Sequence, residues 1–309
     1  MIMKPILIVG PTASGKSALA VALARELGGV VINADSMQVY SVLRLLTARP
    51  TDDELAQAPH ALYGHVPPSH AYSTGKWLTD VRGAIADAEA TGRVPVIVGG
   101  TGLYFKALLE GLSPIPPVPD AVRAHWRAEA QRLGAPVLHQ VLAARDPVMA
   151  DRLRPSDPQR IVRALEVLEA TGRSLGEWQA VPGAPLLAAS ATHRFCLRPD
   201  RAWLQSRCDT RFDHMVAGGA LDEVRALAAL ELDPALPAMR ALGVRPLLTH
   251  LSGRGTIEEA TAAGKAETRQ YVKRQETWLN SNMSSWIYVN MTFNYNINDI
   301  CAFIMRDID

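Results

Sequence analysis

Gly10-Pro11-Thr12-Ala13-Ser14-Gly15-Lys16-Ser17 follows the apolar run Ile6-Leu7-Ile8-Val9 and leads into a helical stretch that stops at Gly28-Gly29. A short β-type run, a glycine-bounded loop and a Lys-Ser pair entering a helix make up the phosphate-binding loop pattern, here with its strand and helix in place. Gly10 and Gly15 let the backbone curl so that successive N–H groups point inward and form an anion site. The helix from Ser17 to Leu27 adds the positive end of its dipole at the same place. Lys16 contributes a point charge for a phosphate chain, and the Ser17 hydroxyl is a ligand for Mg2+. A Gly-rich surface turn would need neither the strand nor the helix. The segment binds a di- or triphosphate, and it sets the fold class: α/β, a P-loop NTPase-like parallel sheet core.

A second strand, Val30 to Ala34, delivers Asp35 and then Ser36-Met37-Gln38. Ligands of open α/β sheets sit outside the carboxyl ends of the strands, so Asp35 is expected beside the phosphate loop; the alternative is a capping aspartate. A helix from Thr74 to Ala90 places Trp77, Val81, Ile85 and Ala88 on one face. The strand Val94 to Val98 then ends in Gly99-Gly100-Thr101-Gly102. NTP-hydrolysing P-loop proteins usually carry a magnesium-organising Asp there, and its absence weighs against ATPase and kinase readings. Within the loop-rich stretch 41–73, Arg49 of Thr47-Ala48-Arg49-Pro50 puts a cation near the site. His60, His65 and His70 are spaced too irregularly for a helix-borne metal pair.

From Ser113 the pattern changes: Pro114, Pro116, Pro117 and Pro119 precede helical periodicity without a strand, which reads as a helical insertion at 113–192 within a core of 1–112 and 193–279. Arg152, Arg154, Arg160 and Arg163 gather around Asp157 there, either as a solvated face or as a basic patch. His193 to Leu197 returns the chain to the sheet, and one long helix is expected from Trp203 to Leu230. A last helix, 256–279, carries Lys265, Arg269 and Lys273 at successive i+4 steps, a stripe suited to a phosphate backbone or simply to the helix dipole. The 32 basic and 31 acidic residues leave almost no net charge, so any nucleic-acid site must be a local patch. Three dispersed cysteines, no leader and no apolar run of spanning length point to a cytoplasmic, non-membrane monomer. The tail 280–309 departs from the Ala/Arg-rich body: Asn, Ile, Met, Phe and Tyr fill 18 of its 30 positions, as in a segment of foreign origin.

Taken together, GPTASGKS, DSMQVY at Asp35–Tyr40, TARP at Thr47–Pro50, VGGTGLY at Val98–Tyr104, DPQRIVRALEV at Asp157–Val167 and TRQYVKRQETW at Thr268–Trp278 resemble the bacterial tRNA dimethylallyltransferase (isopentenyltransferase) family. The resemblance spans residues 4–279 and departs from the family in Leu46, where a glycine is usual, and in the tail. It implies transfer of the dimethylallyl group of dimethylallyl diphosphate to the exocyclic amine of the adenosine just 3′ of the anticodon. Asp35 then matches the general base and Thr101 the active-site threonine. Gly10 to Ser17, with Arg207 and Arg211, would hold the diphosphate and Mg2+. Asp35, Ser36, Met37 and Gln38, Thr101, Arg123, and Gln159, Arg160, Ile161, Val162 and Arg163 match tRNA-contacting positions, with Arg269 and Lys273 added from the basic stripe. The insertion would grip the anticodon arm. Competing classes are a P-loop small-molecule kinase using Asp35 on a hydroxyl, a prenyltransferase of free adenine nucleotides, and a non-catalytic nucleotide-dependent RNA-binding module.

Overall fold

The computed structural model describes residues 3–291 and 296–308, in two compact units: 110–185, and the remainder on either side of it. The chain begins β1 (Ile6–Val9), α1 (Lys16–Glu26), β2 (Val30–Asn33), α2 (Asp52–Gln57), β3 (His60–Ala61), α3 (Thr74–Ala90), β4 (Pro95–Gly99) and α4 (Gly102–Glu110). The helical unit then holds α5 (Asp120–Leu133), α6 (Ala135–Arg145), α7 (Pro147–Asp151), α8 (Pro158–Thr171) and α9 (Leu175–Gln179). Back in the first unit come β5 (His193–Pro199), α10 (Arg201–Met215), α11 (Leu221–Ala228), α12 (Val244–Leu251), α13 (Ile257–Asn282), β6 (Ile287–Met291) and α14 (Ile297–Ile308).

The sheet runs β3-β2-β4-β1-β5-β6 with every pairing parallel. A parallel sheet covered on both faces needs apolar residues at every position of its central strands, which is why β1 reads Ile-Leu-Ile-Val without alternation. Ile6 and Ile8 pack with Leu19 and Leu23 of α1, whereas Leu7 and Val9 pack with Trp77 and Val81 of α3 and Phe105 of α4. The face expected for α3 is the buried one: Trp77, Val81, Ile85 and Ala88.

Four boundaries differ from the sequence reading. Residues 203–230 are two helices, not one; α10 and α11 are parted by a wide turn at Val216–Ala220, where Gly219 takes φ 107°, a left-handed conformation that L side chains rarely adopt. Helix α13 runs on to Asn282. The helical unit spans 110–185, and residues 186–192 belong with the sheet unit, where the amides of Leu186 and Leu187 donate to the Leu108 carbonyl. The helical unit has its own core of Trp126, Leu138, Leu142, Ile161 and Leu165, and Asp157 caps α8 by accepting from the Arg160 amide.

The compositionally distinct tail supplies two elements of the sheet unit. Strand β6 pairs with β5 from Phe195↔Ile287 to Pro199↔Met291. Ile300, Cys301 and Ile304 of α14 join the core cluster that holds Leu19 and Leu23 of α1. Ile304→Ala should therefore cost about 2–5 kcal/mol, the usual range for emptying a fully buried isoleucine site, read as a drop in the urea midpoint with unchanged m-value.

Candidate active site

The phosphate loop leaves β1 and turns through two left-handed residues, Ala13 (φ 63°) and Gly15 (φ 86°), before α1 starts at Lys16. Lys16 is buried, and its Nζ donates to the Pro11 carbonyl at 3.1 Å across the loop. Burial lowers its pKa to about 8; Asp35 opposes the shift and Arg211 adds to it. The outside of the loop is gripped by side chains from far along the chain. Arg207 Nε donates to the Ala13 carbonyl at 3.1 Å, and Arg211 donates to the Thr12 hydroxyl. Gln275 Oε1 accepts from the Thr12 amide at 2.9 Å while its Nε2 donates to the Gly100 carbonyl, also at 2.9 Å.

The ends of β2 and β4 supply the other wall. Asn33, fully buried, accepts from the Asp35 amide and donates to the carbonyls of Asp35 and Leu62; its own carbonyl accepts from Trp77 Nε1. Asp35 is thereby fixed at the strand end, with Oδ1 accepting from the Met37 amide at 2.9 Å. Thr101 Oγ1 accepts from the Ser36 amide at 3.0 Å and lies 3.3 Å from the Ser36 hydroxyl. The glycines of this strand end are there for space. A Cβ on Gly99 would come within 2.0 Å of the Ala34 carbonyl oxygen, and one on Gly100 within 2.4 Å of Gln275 Nε2.

Between these walls lies a cavity of about 230 Å³. Asp35 is the one carboxylate lining it, facing three guanidiniums, Arg211, Arg240 and Arg274. Leu46, Phe212, Met215, Ala241 and Leu242 form an apolar wall, and Thr12, Ser36, Met37, Thr47, Cys208, Thr268 and Tyr271 complete it. The Tyr271 phenol is pushed up by burial and by the Asp35 carboxylate, so it stays protonated. Cations, an amide loop and an apolar wall around one carboxylate suit an anionic ligand that carries a short hydrocarbon, with a base at hand.

Gly10 to Ser17, Asp35, Thr101, Arg207 and Arg211 are thus brought together, and Ser36 and Met37 line the cavity. Gln38 does not; its Nε2 donates to the carbonyls of Thr47 and Ala48 at 2.8 and 2.9 Å. Arg49, expected near the site, packs on Gly64 and donates to the Ser41 carbonyl. In the helical unit Ile161 is wholly buried, so its side chain is not free to meet RNA, while Val162 packs half-buried against the same core. Arg160 and Arg163 pair with Asp157 and Glu166, each at 3.5 Å, and Arg123 and Gln159 lie on α5 and α8. The stripe on α13 is not a row of free cations: Lys265 pairs with Asp213 and Arg269 with Asp209, each at 2.7 Å, and only Lys273 is exposed without an ion pair among the described residues. Gln275, Tyr271, Arg240 and Arg274 were missed. Gln275 had a signal, since it falls on the buried face of α13 with Thr268, Val272 and Leu279, where an amide side chain needs partners.

Mg2+ finds no all-protein cage: the described residues contain no group of three or more His, Cys, Asp or Glu able to hold it. The half-buried Ser17, its hydroxyl without a hydrogen-bond partner among the described residues, suits an ion shared with phosphate oxygens, the usual way Mg2+ is bound.

Comparisons with known proteins bear on this arrangement. A family model described as IPP transferase matches residues 38–282, and one described as isopentenyl transferase matches residues 3–62. A tRNA dimethylallyltransferase of Parvibaculum lavamentivorans is 54% identical over 302 residues, covering 97% of this chain and 96% of that protein. One from Chelativorans sp. is 56% identical over 279 residues, covering 90% and 95%. Among solved structures, the tRNA isopentenylpyrophosphate transferase of Bacillus halodurans matches with TM-score 0.71 at 32% identity, over 99% of this chain and 97% of that one. A eukaryotic dimethylallyltransferase acting on tRNA matches with TM-score 0.81 at 27% identity, over 99% and 79%.

The state of Lys16 gives a test of the anion site. Below pH about 8 the ammonium is charged and favours an anion; above it the free protein holds a neutral amine and must take up a proton on binding. Affinity for inorganic diphosphate, measured by calorimetry, should fall as pH rises through about 8, with proton uptake growing in parallel. Lys16→Met should bind weakly and lose the part of the pH dependence that the ligand's own ionisation does not supply.

Proposed function

The chain belongs to the IPP transferase family of tRNA dimethylallyltransferases, and from that premise we propose that its donor is dimethylallyl diphosphate and its acceptor the exocyclic amine of the adenosine 3′-adjacent to the anticodon. The observation that carries this reading is the phosphate loop braced open beside a cavity whose single lining carboxylate is Asp35. A hydrolase or kinase would need a positioned water or hydroxyl and a magnesium-organising Asp after β4; Gly99-Gly100-Thr101 stands there instead. The relatives named for tRNA also set aside the reading as a modifier of free nucleotides.

The diphosphate lies against the amides of Ala13, Gly15, Lys16 and Ser17, with the side chains of Lys16, Arg207 and Arg211 around it, the Thr12 and Ser14 amides being taken by Gln275 and the Pro11 carbonyl. Donors already fixed in place stabilise the negative charge that develops on a leaving group without reorganising, which is where most of the rate advantage arises. Ser17 would help to hold Mg2+, which would supply further neutralisation of the diphosphate. The five-carbon prenyl chain rests on the wall of Leu46, Phe212, Met215 and Ala241. The adenine leaves its stack to enter, as base-modifying chemistry requires. Its amine attacks C1 of the prenyl group as the C1–O bond breaks, diphosphate departs, and the proton passes to Asp35. An adenine amine is a weak nucleophile, its lone pair being delocalised into the ring, so removal of that proton must accompany bond formation. Thr101, held to Ser36, keeps the segment after β2 in register with the strand end.

Arg123, Gln159, Arg160 and Arg163 of the helical unit take the anticodon arm, and Lys273 of the sheet unit takes an RNA phosphate. No helix among the described residues is long and apolar enough to cross a membrane.

Two measurements test this. Asp35→Ala should slow transfer of radiolabelled dimethylallyl to unmodified tRNA by about 10²–10⁴-fold, the usual worth of a general base, while tRNA affinity changes far less; AMP in place of tRNA should remain unlabelled. In a salt series of tRNA affinity, Lys273→Ala should flatten the log–log slope by roughly 0.7–0.9, one lost phosphate contact. Arg269→Ala should flatten it less, because that charge is already paired with Asp209.

A further inference from the structure

Glu223, near the start of α11, has an unusual set of partners for a carboxylate in a nearly neutral protein. It makes no ion pair among the described residues and instead accepts three consecutive backbone amides: Arg44 at 2.8 Å and Leu45 at 2.6 Å on Oε1, and Leu46 at 3.1 Å on Oε2. Successive N–H groups converging on one anion form a nest, here filled by a side chain from far along the sequence. Charge-assisted bonds of this kind are roughly twice as strong as neutral ones. Leu43 and Leu46 sink beside it into a cluster with Phe212, Val224 and Leu227, so the segment is held by both a carboxylate and apolar contact.

What this anchors is the cavity wall and, one step on, the base. Leu46 and Thr47 line the cavity directly. The carbonyls of Thr47 and Ala48 accept from the Gln38 side-chain amide, and Gln38 directly follows Met37, whose amide donates to Asp35 Oδ1. A continuous path therefore runs from Glu223 through residues 44–48 and Gln38 to Asp35. The bonds that brace the phosphate loop, from Arg207, Arg211 and Gln275, do not pass through it.

We propose that Glu223 is a positioning residue of the transferase reaction: its carboxylate, seated in the amide nest of Arg44–Leu46, sets the cavity wall of Leu46 and Thr47 and the orientation of Asp35, and leaves the diphosphate side untouched. This rests on the transferase reading above. A misplacement of about 1 Å can cost about 10²-fold in rate. Glu223→Ala should thus lower kcat/KM for tRNA about a hundredfold with diphosphate affinity within about twofold of wild type. Glu223→Gln keeps the oxygen that serves Arg44 and Leu45 and opposes the Leu46 amide with an NH₂ group. It should lose about tenfold, an intermediate value that a general loss of folding would not produce.

Two further readouts distinguish positioning from bulk stability. In a cycle with Gln38→Leu the double variant should be no slower than roughly the worse single one, because both break the same path; multiplicative losses would overturn the inference. Hydrogen exchange followed by mass spectrometry should show Glu223→Gln loosening residues 35–38 as well as 44–48, while residues 10–17 keep their protection. Loosening confined to 44–48, equal loosening of 10–17, or wild-type kinetics would each overturn it. This last measurement needs no turnover. If wild-type protein failed to label tRNA, the transferase reading would fall, and the exchange pattern would still decide whether Glu223 orders the Asp35 turn.

Discussion

A loop that offers its backbone N–H groups to an anion cannot use those same groups to hold its own shape. Within Pro11–Ser17 the Thr12 and Ser14 amides are spent on Gln275 and on the Pro11 carbonyl, which leaves those of Ala13, Gly15, Lys16 and Ser17 for an anion. The loop's few internal bonds are Lys16 to the Pro11 carbonyl and the Ser14 amide to the same carbonyl. The curvature is imposed from outside, by Arg207 and Arg211 from α10 and by Gln275 from α13. A Cβ on Gly100 would displace the Gln275 amide from its place between Thr12 and the Gly100 carbonyl. The placement of two helices more than 190 residues downstream is thereby coupled to one anion site.

That coupling accounts for the basic residues of α13. A helix bringing Gln275 to the loop must keep its register against α10, and the pairs Lys265–Asp213 and Arg269–Asp209 join the two helices on one side. Partly exposed pairs of this kind contribute little to stability, but they fix register. Lys265 and Arg269, with their carboxylate partners, are therefore found between α10 and α13, whereas Arg211, Arg240 and Arg274 face the cavity. In a protein of net charge near zero, this division concentrates positive potential where an anion enters.

Local features were legible in the sequence. The phosphate loop, β1, β2 and β4, and the buried face of α3 are each decided by residues within a few positions of one another, and Asp35 follows from the rule that strand ends carry ligands. The break between α10 and α11 had a local sign in Gly218-Gly219, outweighed by the helical pattern on either side. What could not be read were contacts between distant segments: Gln275 with Thr12, Glu223 with the amides of Arg44–Leu46, and the acidic partners of Lys265 and Arg269. Each is a polar group whose partner is chosen by how helices pack, and periodicity says only which face is buried. Arg49 shows the same limit, since a cation beside the site in sequence is turned onto Gly64 by the chain's local path.

The tail shows how far such coupling extends. Its Asn- and Ile-rich composition is unlike the body, yet what the fold asks of it is modest: one strand edge and one apolar helix face. Val289 and Met291 of β6 and Ile300 and Ile304 of α14 meet that demand. The strand covers an edge of β5 that would otherwise present unpaired backbone groups. It also reaches further. The Met291 carbonyl accepts from the Asp200 amide, Asp200 caps α10 by accepting from the Trp203 amide, and α10 carries Arg207 and Arg211 to the phosphate loop. A segment set apart by composition thus stands three contacts from the diphosphate site, because a loop braced from outside inherits the position of whatever braces it.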